Sequence, residues 1–262
     1  LFIPALGVKG IGIATIISQL VSFLMVLFKV LKNERVRKIT NEYLIPKFSF
    51  FKNIFFQSMP ISVSICGYAL AAAIIFTYVG QSGEYAVAGY GVGTRIEQVV
   101  LLPILGINTA IISIIAQNYG ANNLDRIKET YFTAIKYAFI IMITAGTLVF
   151  LSASVITSFF SNDPEVIEYG KRYLKISAFV LPAYPVFFLS NGFFMALKKS
   201  ENAMISNLFR NVLNPIAVFY IAKYISASFE TFFWLWVGIN WFFSISYFFI
   251  VIYYFKLKLN KS

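Results

Sequence analysis

The sequence has no histidine, a single cysteine and few charged residues, and acidic groups are the scarcest of these, with Asp and Glu together numbering 11. Each shortage excludes something. Without histidine the commonest general base and metal ligand is missing. One thiol, Cys66, allows neither an internal disulfide nor a cysteine metal cluster. Lying in an apolar block, it reads as a small buried hydrophobe. Charged residues make up 13% of the chain, against about 25% in an average soluble domain. That is too little polar surface to cover a fold in water.

What the sequence has instead is apolar length. Hydrophobic residues make up 59% of 262 residues, and they fall in blocks of about 20, long enough as helices to cross a hydrocarbon core of roughly 30 Å. Seven blocks stand out: Gly10–Leu31, Ile54–Val79, Ala86–Ala116, Tyr137–Phe160, Ile176–Leu197, Met204–Ala222 and Phe232–Phe255. Lipid offers backbone groups no partners, and the alternation of a membrane barrel is absent, so the spans must be helices. The expected fold class is all-α, a polytopic membrane helix bundle with membrane lipid as its surroundings.

The net charge of +11 does not point to nucleic acid, because the basic residues are spread between the apolar blocks. One side takes 16 of them, in loops or, for Lys29 and Arg210, within the adjoining blocks, including Lys32, Arg35, Arg37, Arg126, Lys128, Lys198, Lys199 and Lys256. The other side carries five: Lys9, Lys171, Arg172, Lys175 and Lys223. Cytoplasmic loops are the basic ones. This places the first residues outside, the last in the cytoplasm, and the chain in the plasma membrane as a multi-pass protein.

The first residue is Leu1, and an outside N-terminus without a signal peptide needs a preceding element. The expected organisation is therefore 1–31, the last helix of a missing N-terminal bundle; 32–52, a basic cytoplasmic connector; and 53–262, a six-helix bundle. Asp163-Pro164-Glu165 reads as a helix start, with a capping carboxylate, proline at the first position and an acid at the positive end of the dipole. Pro60, Pro103, Pro182 and Pro185 lie inside spans, where proline bends helices.

Ionisable groups inside a bilayer are costly and are functional candidates by default. Only Glu97 among the acids falls well inside a span, with Arg95 two residues before it and Gln98 next to it. Residues two apart on a helix point in different directions, so Arg95 and Glu97 do not pair face to face. Two positions remain open for the pair: buried against another helix, or snorkelling at the interface, since Val99–Ala116 nearly spans alone. Asn108 and Asn191 are uncharged polar candidates, either for a cavity wall or for hydrogen bonds between helices.

Several segments resemble the multidrug and toxic compound extrusion (MATE) family. One is the stretch from Gly89 through Arg95-Ile96-Glu97-Gln98, Leu102-Pro103, Gly106 and Ala110 to Gln117-Asn118-Tyr119-Gly120-Ala121. Asn191-Gly192-Phe193-Phe194-Met195-Ala196-Leu197, Arg210, Asp163-Pro164-Glu165 and Tyr173-Leu174 continue the pattern in order. The resemblance covers the family's sixth helix onward. It implies an antiporter that exports organic, often cationic, compounds by alternating access, needs no bound cofactor, and exchanges its substrate for Na+ or H+. The acids that some members carry in their seventh and tenth helices have no counterpart in Ile54–Val79 or Ile176–Leu197. The resemblance implies a further cation site in the N-terminal bundle, so the coupling ion is open and Glu97 is one candidate for binding it. The rival readings are a lipid-linked oligosaccharide flippase of related architecture and a seven-helix receptor. With no catalytic constellation in sight, an enzyme is not expected.

Overall fold

The structure, a computed structural model, describes residues 7–32 and 48–256. Residues 33–47, most of the expected connector, lie outside the described residues. The chain divides into two compact units, Leu1–Phe55 and Phe56–Ser262.

In the first unit, α1 (Gly7–Leu31) is a regular apolar helix. Lys29 lies in its last turn, and Lys32 just beyond stands over the ring of Phe28 at 4.5 Å. The unit also contains the first turns of α2 (Phe48–Val79). Helix therefore begins at Phe48, inside the stretch that sequence assigned to the connector, because Phe48, Phe50 and Phe51 extend the apolar run backwards.

The second unit continues α2 and adds α3 (Glu84–Gly120), α4 (Leu124–Ser158), α5 (Pro164–Ser177), α6 (Tyr184–Ala196), α7 (Ser200–Leu208), α8 (Asn214–Tyr224) and α9 (Phe229–Tyr254). Among the described residues, five helical stretches are long and apolar enough to cross a membrane: Gly12–Leu31, Glu84–Gly120, Leu124–Ser158, Pro164–Ala196 and Phe229–Tyr254. The blocks Ile54–Val79 and Met204–Ala222 are helical too, in α2 and in α7 with α8.

The helices start and stop where local chemistry dictates. Asp163 Oδ1 accepts from the amides of Glu165 at 2.9 Å and Val166 at 3.4 Å, capping α5 as its sequence requires. Ser228 Oγ caps α9 by accepting from the Thr231 amide at 3.3 Å. α3 runs unbroken through Pro103. Pro182, by contrast, lies in a 3-10 turn, Leu181–Ala183, that separates α5 from α6, and Pro185 stands in the first turn of α6. Pro60 lies within α2.

The bundle has an apolar core like a soluble protein's, but its exposed surface is apolar too, and a few polar groups are buried within. Val99, Leu102, Leu148 and Leu151 are exposed, while Asn211, Asn214, Asn240, Ser190 and Arg210 are buried. A hydrocarbon solvent rewards apolar faces that meet lipid, and it leaves polar groups to seek partners between helices. Arg210 pairs with Asn240 and Ser190 with Tyr131, while both side-chain polar atoms of Asn214 are buried without a partner among the described residues. The same reasoning corrects the reading of Cys66, which is exposed and not buried: when lipid is the solvent, a small apolar residue can face outward at no cost.

α3 is the central element, packing on α4, α5 and α6. Small residues permit the approach of α5. A Cβ on Gly89 would stand 2.7 Å from the Gly170 amide nitrogen, and one on Gly93 would collide with the ring of Tyr173. Likewise, a Cβ on Gly192 in α6 would strike the amide of Asn108 in α3. Across the α4–α6 contact, the buried hydroxyls of Tyr131 and Ser190 share a hydrogen bond of 2.7 Å.

Candidate functional site

The close α3–α5 contact brings a carboxylate onto two phenols. Glu97, on α3, accepts hydrogen bonds from the hydroxyls of Tyr173 on α5 and Tyr184 on α6. The α5–α6 break at Pro182 lets two short helices each aim a tyrosine at the same acid. Hydrogen bonds to an ionised acceptor are about twice as strong as neutral ones, so this pair holds the carboxylate in one place. The rings continue outward as an aromatic cluster. Tyr90 meets Tyr173 edge-on at 4.9 Å and stacks on Phe233 at 5.4 Å.

Glu97 is half-buried and opens on a cavity of about 250 Å³. Its walls come from α2 (Tyr68, Ile75), α3 (Thr94, Gln98), α6 (Phe188) and α9 (Phe233, Trp236). Arg210 and Asn211 complete it from a π-helical turn, Phe209–Leu213, inserted between α7 and α8. Such turns are rare and are frequent at functional sites. Arg210 is 8% exposed. Its Nε donates to Asn240 Oδ1 at 3.2 Å, and its guanidinium lies 4.7, 4.3 and 5.4 Å from the rings of Tyr184, Phe187 and Phe188. Tyr184 thus touches both charges, giving its hydroxyl to Glu97 and its ring face to Arg210.

The sequence candidates separate. Glu97 and Gln98 line the cavity. Arg95 is exposed, outside the cavity lining and without a salt bridge among the described residues. Asn108 Oδ1 is buried without a hydrogen-bond partner among the described residues. Asn191 belongs to another network, accepting from the Tyr247 hydroxyl at 3.1 Å and reaching Asn207 at 3.5 Å. Sequence reasoning did not single out Tyr184, and it named Tyr173 within the family pattern, with no role. The detectable signal was the pair Gly93 and Tyr173: a glycine on one helix accommodates a large ring from another.

Comparison with known proteins adds to the geometry. The family model for MatE matches residues 60–220. The chain is 26% identical over 233 residues to the probable multidrug resistance protein YpnP of Bacillus subtilis (strain 168), which covers 89% of this chain and 49% of that protein. It is 23% identical over 222 residues to an FAD transporter of Shewanella oneidensis, covering 85% of this chain and 49% of that one. Among solved structures, a crystal structure of MATE in complex with MaL6 superposes with a TM-score of 0.87 at 22% identity, covering 100% of this chain and 60% of that chain. That likeness shows the fold. The chain spans about half the length of the curated relatives it matches.

Proposed function

The chain belongs to the MatE family of multidrug efflux transporters, and we propose that the whole protein exports small organic compounds, often cationic, in exchange for Na+ or H+ by alternating access. Members of the family are transporters and not enzymes. In this reading the Glu97 cavity is one wall of the transport path, and the rest of the path comes from the remaining length that the curated relatives possess.

The observation that carries the proposal is Glu97 itself, a half-buried carboxylate in an aromatic cavity, held by the hydroxyls of Tyr173 and Tyr184. An exporter must bind an ion in one conformation and release it in the other, which requires an acceptor whose surroundings change between states. Glu97 touches α5 and α6 through two tyrosines, so a shift of either helix alters the number of hydroxyls that satisfy it. With hydroxyls withdrawn, the carboxylate oxygens are free to receive a cation, either the coupling ion or the positive end of a substrate. With them restored, it releases the ion. The aromatic walls suit flat organic cations, which ring faces attract.

The test is efflux of ethidium from cells expressing the full-length protein under imposed Na+ and pH gradients. Native protein is expected to export the dye under one gradient, and Glu97→Gln, present at native levels in the membrane, to lose at least about tenfold in rate, equivalent to about 1.4 kcal/mol. Normal gradient-driven efflux by Glu97→Gln would remove Glu97 from the coupling step.

A further inference from the structure

We propose that a second cavity, sharing Arg210 as a wall with the Glu97 cavity, binds an organic anion with a flat apolar body, of the aromatic carboxylate class. Nothing in the transport reading requires this site, and its test is a binding measurement that stands without transport.

The cavity has a volume of about 360 Å³, within the range of small-molecule sites. Three helical faces build it. Asn202, Ile205, Ser206, Phe209 and Arg210 follow one another at the spacing of a single face along α7 and the π-helical turn. Phe243, Tyr247, Ile250 and Tyr254 do the same on α9, and Phe187 and Phe194 close the space from α6. The walls are therefore mostly aromatic rings, which accept a flat body by stacking or edge contact.

Arg210 supplies the charge. It is buried, and only its Nε has a hydrogen-bond partner, Asn240 Oδ1. The salt bridges among the described residues involve Arg126, Lys171 and Arg172, and none involves Arg210. Glu97 does not neutralise it by contact, since that carboxylate is held by the two tyrosines. The rings of Tyr184, Phe187 and Phe188 lie within 5.4 Å of the guanidinium carbon and provide cation–π attraction. A ring face does not, however, take the in-plane N–H bonds that a guanidinium directs as a fork. Neither Nη atom is among the buried polar atoms left without a partner, and neither has an acceptor among the described residues. They therefore border open space, and a planar carboxylate is the group whose geometry matches a guanidinium fork. Asn202, Ser206, Ser246 and Tyr247 add polar groups to the lining.

The experiment compares 2-naphthoate with 2-naphthamide, a neutral molecule of nearly the same shape, by calorimetry on the purified full-length protein in detergent. Naphthoate is expected to bind at least about tenfold more tightly than the amide. Arg210→Gln is expected to erase that preference. Ser246→Phe, which fills the cavity and leaves Arg210 in place, is expected to weaken naphthoate binding by at least about tenfold. Equal binding of acid and amide by the native protein would overturn the proposal, and so would unchanged naphthoate binding by Ser246→Phe. Both readings hold even where Arg210→Gln fails to give monodisperse protein, since neither uses that variant.

Discussion

Tyr173 and Tyr184 do different work around the same carboxylate. Tyr173 is wedged over Gly93, with its ring 4.8 Å from that of Phe233, and has little room to move. Tyr184 sits in the first turn of α6, directly after the 3-10 turn, where a small rotation of the helix displaces its hydroxyl. Removing either hydroxyl leaves Glu97 with one donor, and a hydrogen bond to a charged group is worth about 1.5–3 kcal/mol. Tyr184→Phe is therefore expected to slow gradient-driven ethidium efflux by about tenfold or more. Tyr173→Phe is expected to show the same sign, with ring packing intact and the Tm within a few degrees of native. Efflux at the native rate in both single variants would mean that the hydroxyls are structural. Glu97 stood out in the sequence as the one acid well inside an apolar span, although burial and snorkelling at the interface both stayed open there. Its partners did not, because a tyrosine beside a membrane interface is ordinary, and only three-dimensional packing shows that Tyr173 points inward across Gly93. Arg95 looked as informative as Glu97 by composition, yet the helix turns it to an exposed face.

Among the elements, the α5–α6 break is the one with the most consequences. Pro182 and Pro185 have no amide hydrogen to donate, so carbonyls in the preceding turn need other partners. The carbonyl of Phe179 accepts from Trp241 Nε1 on α9 at 2.8 Å. Gly146 on α4 leaves room for the carbonyl of Ala178, which would otherwise lie 2.8 Å from a Cβ. Trp241→Phe keeps a large apolar ring and deletes the donor, leaving the Phe179 carbonyl unsatisfied, at a cost of about 1–3 kcal/mol. A lower Tm in detergent is the expected result. Gly89→Ala tests the α3–α5 seam. The added methyl would press on backbone, the Gly170 amide nitrogen at 2.7 Å and the Val166 carbonyl oxygen at 2.8 Å, which no rotamer change relieves. Overpacking of this kind costs about 1–3 kcal/mol and should lower the Tm as well; an unchanged Tm would show that the seam opens freely. The four prolines read alike in the sequence and separate in the structure: Pro182 and Pro185 lie at a helix break, Pro60 and Pro103 inside continuous helices. The Asp163 cap could be read from sequence because its effect is local. The π-helical turn could not, since nothing in Phe209–Leu213 departs from ordinary helix-forming composition, and its extra residue is accommodated by tertiary contacts.

For the whole molecule, the apolar blocks identified a membrane protein because lipid imposes one uniform demand on every span. Orientation is a further inference from the basic residues, and α4 offers the cleanest test. Its 35 residues, Leu124–Ser158, extend roughly 52 Å at 1.5 Å per residue, well beyond a hydrocarbon core of about 30 Å. The two ends must therefore emerge on opposite sides, if the helix crosses at all. Arg126, Lys128 and Lys136 cluster at its start, and basic residues are retained in the cytoplasm. Lys171, Arg172 and Lys175 beyond its far end pull the other way, but Lys171 and Arg172 are paired with Glu168 at 2.9 and 3.0 Å. Lys128 and Asn162 are both exposed. Replacing the exposed Cys66 by serine removes the one thiol of these 262 residues, and any thiol elsewhere in the full-length protein is replaced likewise. In that background, a membrane-impermeant maleimide applied to intact cells should label Asn162→Cys and spare Lys128→Cys until the membrane is permeabilised. The reverse pattern would invert the topology, and labelling of both from outside would mean that α4 does not cross.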